Sequence, residues 1–127
     1  MPDEDRTLTE DLMDTVALNG AVVPPLFQIE VGNSLLVGAR RNRIEGAYIS
    51  QALDLIQKLP LRIDSSSSDY VWSSTIEIAA AYGLTLYDAI YLELAIRLDM
   101  PLATLDERLA KAAAIAGVSL PWAQTRN

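Results

Sequence analysis

The chain has 127 residues, half of them hydrophobic, which is enough for one hydrophobic core and excludes general disorder. It contains neither histidine nor cysteine, so a zinc site of the usual kind is excluded, and the lack of cysteine fits a reducing compartment. The net charge of −7 argues against broad, charge-driven binding to nucleic acid, and no apolar run is long enough to span a membrane or to act as a secretion signal, so a cytoplasmic protein is expected.

The predicted elements alternate, as one α/β domain over residues 1–127 requires. Asp3, Glu4 and Asp5 read as acids ahead of a helix amino terminus, where the dipole favours them. Residues 7 to 18 form a helix with Leu8, Leu12 and Val16 on one side, stopped at Asn19-Gly20. Ala21-Val22-Val23 is a short strand, and Pro24-Pro25 suits its end and the first turn of a helix from Leu26 to Leu36. That helix is apolar on most sides and is expected to be well buried. Arg40-Arg41-Arg43 reads as a solvated helix end, with an RNA contact as the alternative. Ile44 to Leu59 is a helix ended by Pro60, Leu61-Arg62-Ile63 a strand, and Asp64 with Ser65 to Ser68 a turn. Asp69 to Tyr82 is helical and stops at Gly83. A helix beginning near Thr85 is followed by a strand at Leu102, a helix from Asp106 to Ala116 closed by Gly117, and a last edge strand at Val118-Ser119-Leu120. Strands alternating with helices predict a parallel sheet covered on both faces. Tyr48, Tyr70, Trp72, Tyr82 and Trp122 are read as core or interface residues rather than base-stacking platforms.

Three acids stand apart from this scaffold. In Thr85 to Arg97, at about 100° per residue, Glu93 and Arg97 pair at i,i+4 on a polar face, while Asp88 shares the opposite stripe with Leu92 and Ala95. A carboxylate there needs a cap, a partner or a cation. Thr85-x-x-Asp88 has the spacing of a capping box, so a satisfied helix-start acid is one reading. In Leu102 to Leu109 a strand runs into a helix, leaving Thr104 and Asp106 at the strand's carboxyl edge, where open α/β sheets bind ligands. Thr104-x-x-Glu107 is again a capping spacing, which gives Glu107 a structural task and leaves Asp106 without one. Glu30 lies one turn into its helix beside Asn33 and Ser34, and is either satisfied by them or by Arg41, or converges with Asp88 and Asp106 on a hard divalent cation.

The combination Pro24-x5-Glu30-x2-Asn33, Thr85-x-Tyr87-Asp88-Ala89-x-Tyr91-Leu92-x-Leu94-Ala95 and Pro101-Leu102-Ala103-Thr104-x-Asp106-x2-Leu109 resembles the PIN domain. It is most similar to the VapC-type ribonuclease toxins of toxin–antitoxin pairs. The resemblance implies a three-layer α/β/α fold with a short parallel sheet, and RNA cleavage dependent on Mg²⁺ or Mn²⁺ that yields a 5′-phosphate. It further implies catalytic, metal-binding roles for Glu30, Asp88 and Asp106, with the Thr104 hydroxyl contributing to cofactor binding. The partners it implies are RNA, a cognate antitoxin protein and a second copy in a homodimer.

Members of the family open with an apolar strand ending in an Asp, central to the sheet. Here Met1 falls downstream of that strand, so the first strand and first Asp are expected to be missing. The strands near Val22 and Ile63 would then lie on one side of the gap and those near Ala103 and Ser119 on the other. Unpaired interior edges are costly, so the gap is expected to close, or to be filled by another copy or by upstream residues. Two further readings stay open: a PIN fold catalytically impaired by the missing Asp that only binds a partner, an antitoxin or its own copy, and a helical interaction protein without metal.

Overall fold

The structure is a computed structural model describing residues 21–41, 45–104 and 106–120. The helix expected over residues 7–18, Arg43 and Trp122 lie outside those residues. The chain divides into two compact units, Met1–Ile63 and Asp64–Asn127.

In the first unit, strand β1 (Ala21–Val23) pairs in parallel with β2 (Leu61–Ile63), Val22 opposite Arg62, as the sequence predicts. Parallel neighbours need a long crossover. It is supplied by helices α1 (Leu26–Arg40) and α2 (Gly46–Gln57). Pro24 and Pro25 end the strand without forfeiting a needed donor, and their carbonyls accept from Phe27 and Gln28 at 3.0 and 3.3 Å. The expectation that α1 is well buried is not met: none of its residues is buried, and Ile29 is 69% exposed. On α2 only Ala52 is buried, and Leu55 is 60% exposed. An apolar sequence makes burial favourable, but a neighbouring surface must supply the cover.

In the second unit, the helix expected from Asp69 to Tyr82 is composite. A 3₁₀ turn (Ser67–Tyr70) and a π-helical turn (Val71–Thr75) precede α3 (Ile76–Tyr82). Serine hydroxyls here donate to nearby carbonyls, Ser68 to Ser65 and Ser73 to Tyr70, which competes with regular helix. Helices α4 (Leu86–Leu98) and α5 (Glu107–Ile115) follow. Ala89, Leu92 and Ala95 of α4 pack with Leu102, Leu109 and Ala113 to form the core. Residues 101–104 and 118–120 are not strands, contrary to expectation. One backbone bond joins them, from the Leu102 amide to the Ser119 carbonyl at 2.9 Å. Pro101 has no N–H to extend the ladder. Of the aromatics read as core or interface, Tyr82 packs against the core, whereas Trp72 is 90% exposed.

The three α-helices among the described residues of this unit end alike, with an amide bonded five residues back: Leu84 to Ala79, Met100 to Ala95 and Val118 to Ala113. That closure needs a left-handed residue. Gly83 and Gly117 provide it twice, but Asp99 takes φ 53° in the third. Its Cβ is strained there, and its charge opposes the negative end of the helix dipole. Asp99→Gly is expected to raise unfolding stability by about 1 kcal/mol. Urea unfolding that shows no gain would count against this account of the cap.

Candidate active site

The start of α4 places Asp88. Thr85 is extended, and its Oγ1 accepts the Asp88 amide hydrogen at 3.2 Å, so the capping reading of this spacing holds. Asp88 is half-buried at the first turn. The buried acid of this helix is a different one. Glu93, expected on a polar face, is only 4% exposed and sits within four consecutive buried residues, 92–95.

The start of α5 places Asp106, and here the expected cap is shifted. Asp106 itself is the N-cap: its Oδ1 accepts the Leu109 amide hydrogen at 2.8 Å, so the acid left without a structural task has one. Thr104 Oγ1 in turn accepts the Asp106 amide hydrogen at 3.0 Å. Asp suits the cap better than Thr, and Thr104 serves instead to fix the turn before it. Among the described residues, no hydrogen bond engages Asp106 Oδ2. The cap therefore holds the carboxylate by one oxygen and leaves the other for a further contact.

Glu30 is half-buried on α1, in the first unit, with Asn33 and Ser34 exposed beside it. Among the described residues, no group of three or more acids is gathered to hold a metal ion. The structure thus joins Thr104 to Asp106 directly, places Asp88 in the same unit, and places Glu30 in the other. Carboxylates and a hydroxyl are hard oxygen donors, and the exposed Asp106 with one oxygen uncommitted fits a hydrated Mg²⁺ or Mn²⁺.

The sequence reading missed Asp64. Arg97 donates from Nε to Glu93 Oε2 at 2.7 Å and from Nη2 to Glu93 Oε1 at 3.2 Å and to Asp64 Oδ2 at 2.7 Å. The Ser67 hydroxyl donates to Asp64 Oδ2 at 2.8 Å, and the guanidinium lies 4.6 Å from the centre of the Tyr70 ring. The available signal was the apolar run around Glu93: with Leu92, Leu94 and Ala95 as neighbours, an i,i+4 pair there cannot all face water. The Glu93 hydrogen bonds, then those of Asp64, push the Arg97 pKa up, and burial opposes them. The Arg97 hydrogen bond holds the Asp64 carboxyl below its ordinary 3.8, against partial desolvation.

A carboxyl depressed in the folded state contributes stability that is present above its unfolded pKa and lost as pH falls through its folded pKa. The stability advantage of the wild type over Asp64→Asn is therefore expected to be full at pH 7 and to shrink below about pH 4. A difference that stays constant from pH 7 to pH 2 in chemical denaturation would contradict it.

The chain belongs to the PIN domain family, whose sequence pattern matches residues 3–115 and so runs through both units. The parallel pair β1–β2 and the helices that alternate with it along the chain accord with that α/β class. The chain is also 35% identical over 95 residues to Ribonuclease VapC1 of Mycobacterium tuberculosis, strain CDC 1551 / Oshkosh, and to its counterpart in strain ATCC 25618 / H37Rv. The matched stretch covers 70% of this chain and 65% of each relative, just under two thirds of their length. Among the described residues, no helix is long and apolar enough to cross a membrane.

Proposed function

We propose that this chain is a divalent-metal-dependent endoribonuclease of the toxin–antitoxin type. The observation that carries the reading is its similarity to Ribonuclease VapC1 within a PIN family match. Glu30, Asp88 and Asp106 are the metal ligands in this reading, with Thr104 supporting Asp106 from the turn behind it. Bound Mg²⁺ or Mn²⁺ would supply an acidified water and charge stabilisation at the scissile phosphate. The residues themselves supply orientation. The Asp106 cap fixes one carboxylate oxygen at the start of α5, and the Thr85 cap fixes the backbone from which Asp88 projects. Carboxylate oxygens are the donors that hard divalent cations prefer. No covalent nucleophile is required. In this reading the single PIN-like domain spans residues 1–127 and works in the cytoplasm as a homodimer held in check by a cognate antitoxin.

Exposure of Ile29 and Leu55 favours a second reading, a PIN domain that serves mainly to bind a protein partner. Cleavage assays separate the two. The purified chain is expected to cut a labelled RNA in Mg²⁺, to stop in EDTA, and to lose at least about 10²-fold in rate as Asp88→Asn. Cleavage insensitive to both would sink the metal mechanism, and no cleavage by the wild type would leave partner binding as its function.

A further inference from the structure

We propose that Asp64 and Arg97 are positioning residues for Asp88: together they set the rotation of α4 about its own axis, and with it the place of the Asp88 carboxylate. This rests on the reading of Asp88 as a metal ligand. Glu93 and Arg97 share a helix with Asp88 but lie about 140° and 180° around it, at about 100° per residue. The clamp therefore grips the far side of the same rod.

The apolar side of α4 is built largely of small residues. It places Ala89 and Ala95, with Leu92 between them, in a core cluster that holds Ala112 and Ala113 beside Leu102 and Leu109. Small side chains make shallow ridges with little interlock. The ionic contact has direction instead. Glu93, one turn back on the same helix, holds the guanidinium plane but cannot by itself fix the helix against its surroundings. Asp64 can, because it lies outside α4 and bonds the same guanidinium at 2.7 Å. Asp64 is anchored in turn by the Ser67 hydroxyl at 2.8 Å, and Tyr70 packs on the guanidinium face. A side-chain atom about 5–6 Å from a helix axis moves about 1 Å for each 10° of rotation. Misplacement by about 1 Å can cost about 10²-fold where geometry is preorganised.

The test uses the full chain. Asp64→Ala removes the anchor but leaves Glu93 and Arg97 paired, so it is expected to fold. Asp64→Asn keeps an acceptor oxygen and is the rescue variant. Two readouts are taken: Mn²⁺ binding, from the free-ion paramagnetic resonance signal, and the ¹³C resonance of the Asp88 carboxyl without metal. Asp64→Ala is expected to weaken Mn²⁺ binding about 10-fold and to shift the Asp88 resonance, with both largely restored in Asp64→Asn. A purely structural role would lower the melting temperature of Asp64→Ala and leave both readouts at wild-type values, which would overturn the proposal. If the wild type itself binds no Mn²⁺, the metal reading fails separately. The Asp88 resonance then still decides whether Asp64 governs its placement: a shift sustains the positioning role, and no shift ends it.

Discussion

Arg97→Met is expected to lower the unfolding free energy by about 3–5 kcal/mol, because it leaves the buried Glu93 carboxylate without its counter-charge. Glu93 is 4% exposed, and both its oxygens accept from Arg97. Asp64 also loses its charged partner, though it is nearer solvent and keeps the Ser67 hydroxyl. Most of the penalty belongs to the orphaned charge rather than to the net strength of the pair. The double variant Glu93→Gln/Arg97→Met is therefore expected to recover more than half of the loss. Urea unfolding of the three proteins at pH 7 checks this. A loss under about 1 kcal/mol for Arg97→Met would place the pair in the range of exposed surface bridges.

Asp106→Asn is expected to reduce RNA cleavage by at least about 10²-fold while leaving stability nearly unchanged. The two effects separate because, in the proposed metal site, Asp106 would use one oxygen for the cap and its charge for the cation. Oδ1 caps α5 through the Leu109 amide, and asparagine caps a helix about as well. The formal charge that attracts a cation disappears. Asp106→Ala removes both tasks, and should add a stability loss of about 1 kcal/mol to the same loss of activity. Thermal melts and cleavage assays on the two variants give the comparison. Equal activity for wild type and Asp106→Asn would remove Asp106 from the metal site and leave it as a cap alone.

Local chemistry was legible in the sequence wherever it depends on neighbours along the chain. The stop at Gly83, the close at Gly117 and the Thr85 cap are set within a few residues by backbone sterics and short-range hydrogen bonds, and strands β1 and β2 showed as short apolar runs between turn and proline signals although their pairing is long-range. The acids Glu30, Asp88 and Asp106 could be singled out with the family resemblance, since their spacing is a property of the chain. The cap register at Thr104 and Asp106 was not legible, because both residues can cap and the choice falls to the packing of Leu102 and Leu109 in the core.

Burial lay further out of reach. By periodicity alone Asp88 belonged to the buried stripe and Glu93 to the surface, and the tertiary structure reverses their depths. The reason is that α4 is enclosed on more than one side, by the core and by the Ser67–Thr75 turns, so no single stripe describes it. In the same way, α1 has the apolar content of a core helix but no buried residue. Composition by itself determined the donor chemistry: with neither histidine nor cysteine, a metal site in this chain must be built from oxygen. Only the tertiary structure paired Asp64 with Arg97, because that contact joins residues distant in sequence whose approach depends on how the intervening turns and helices pack.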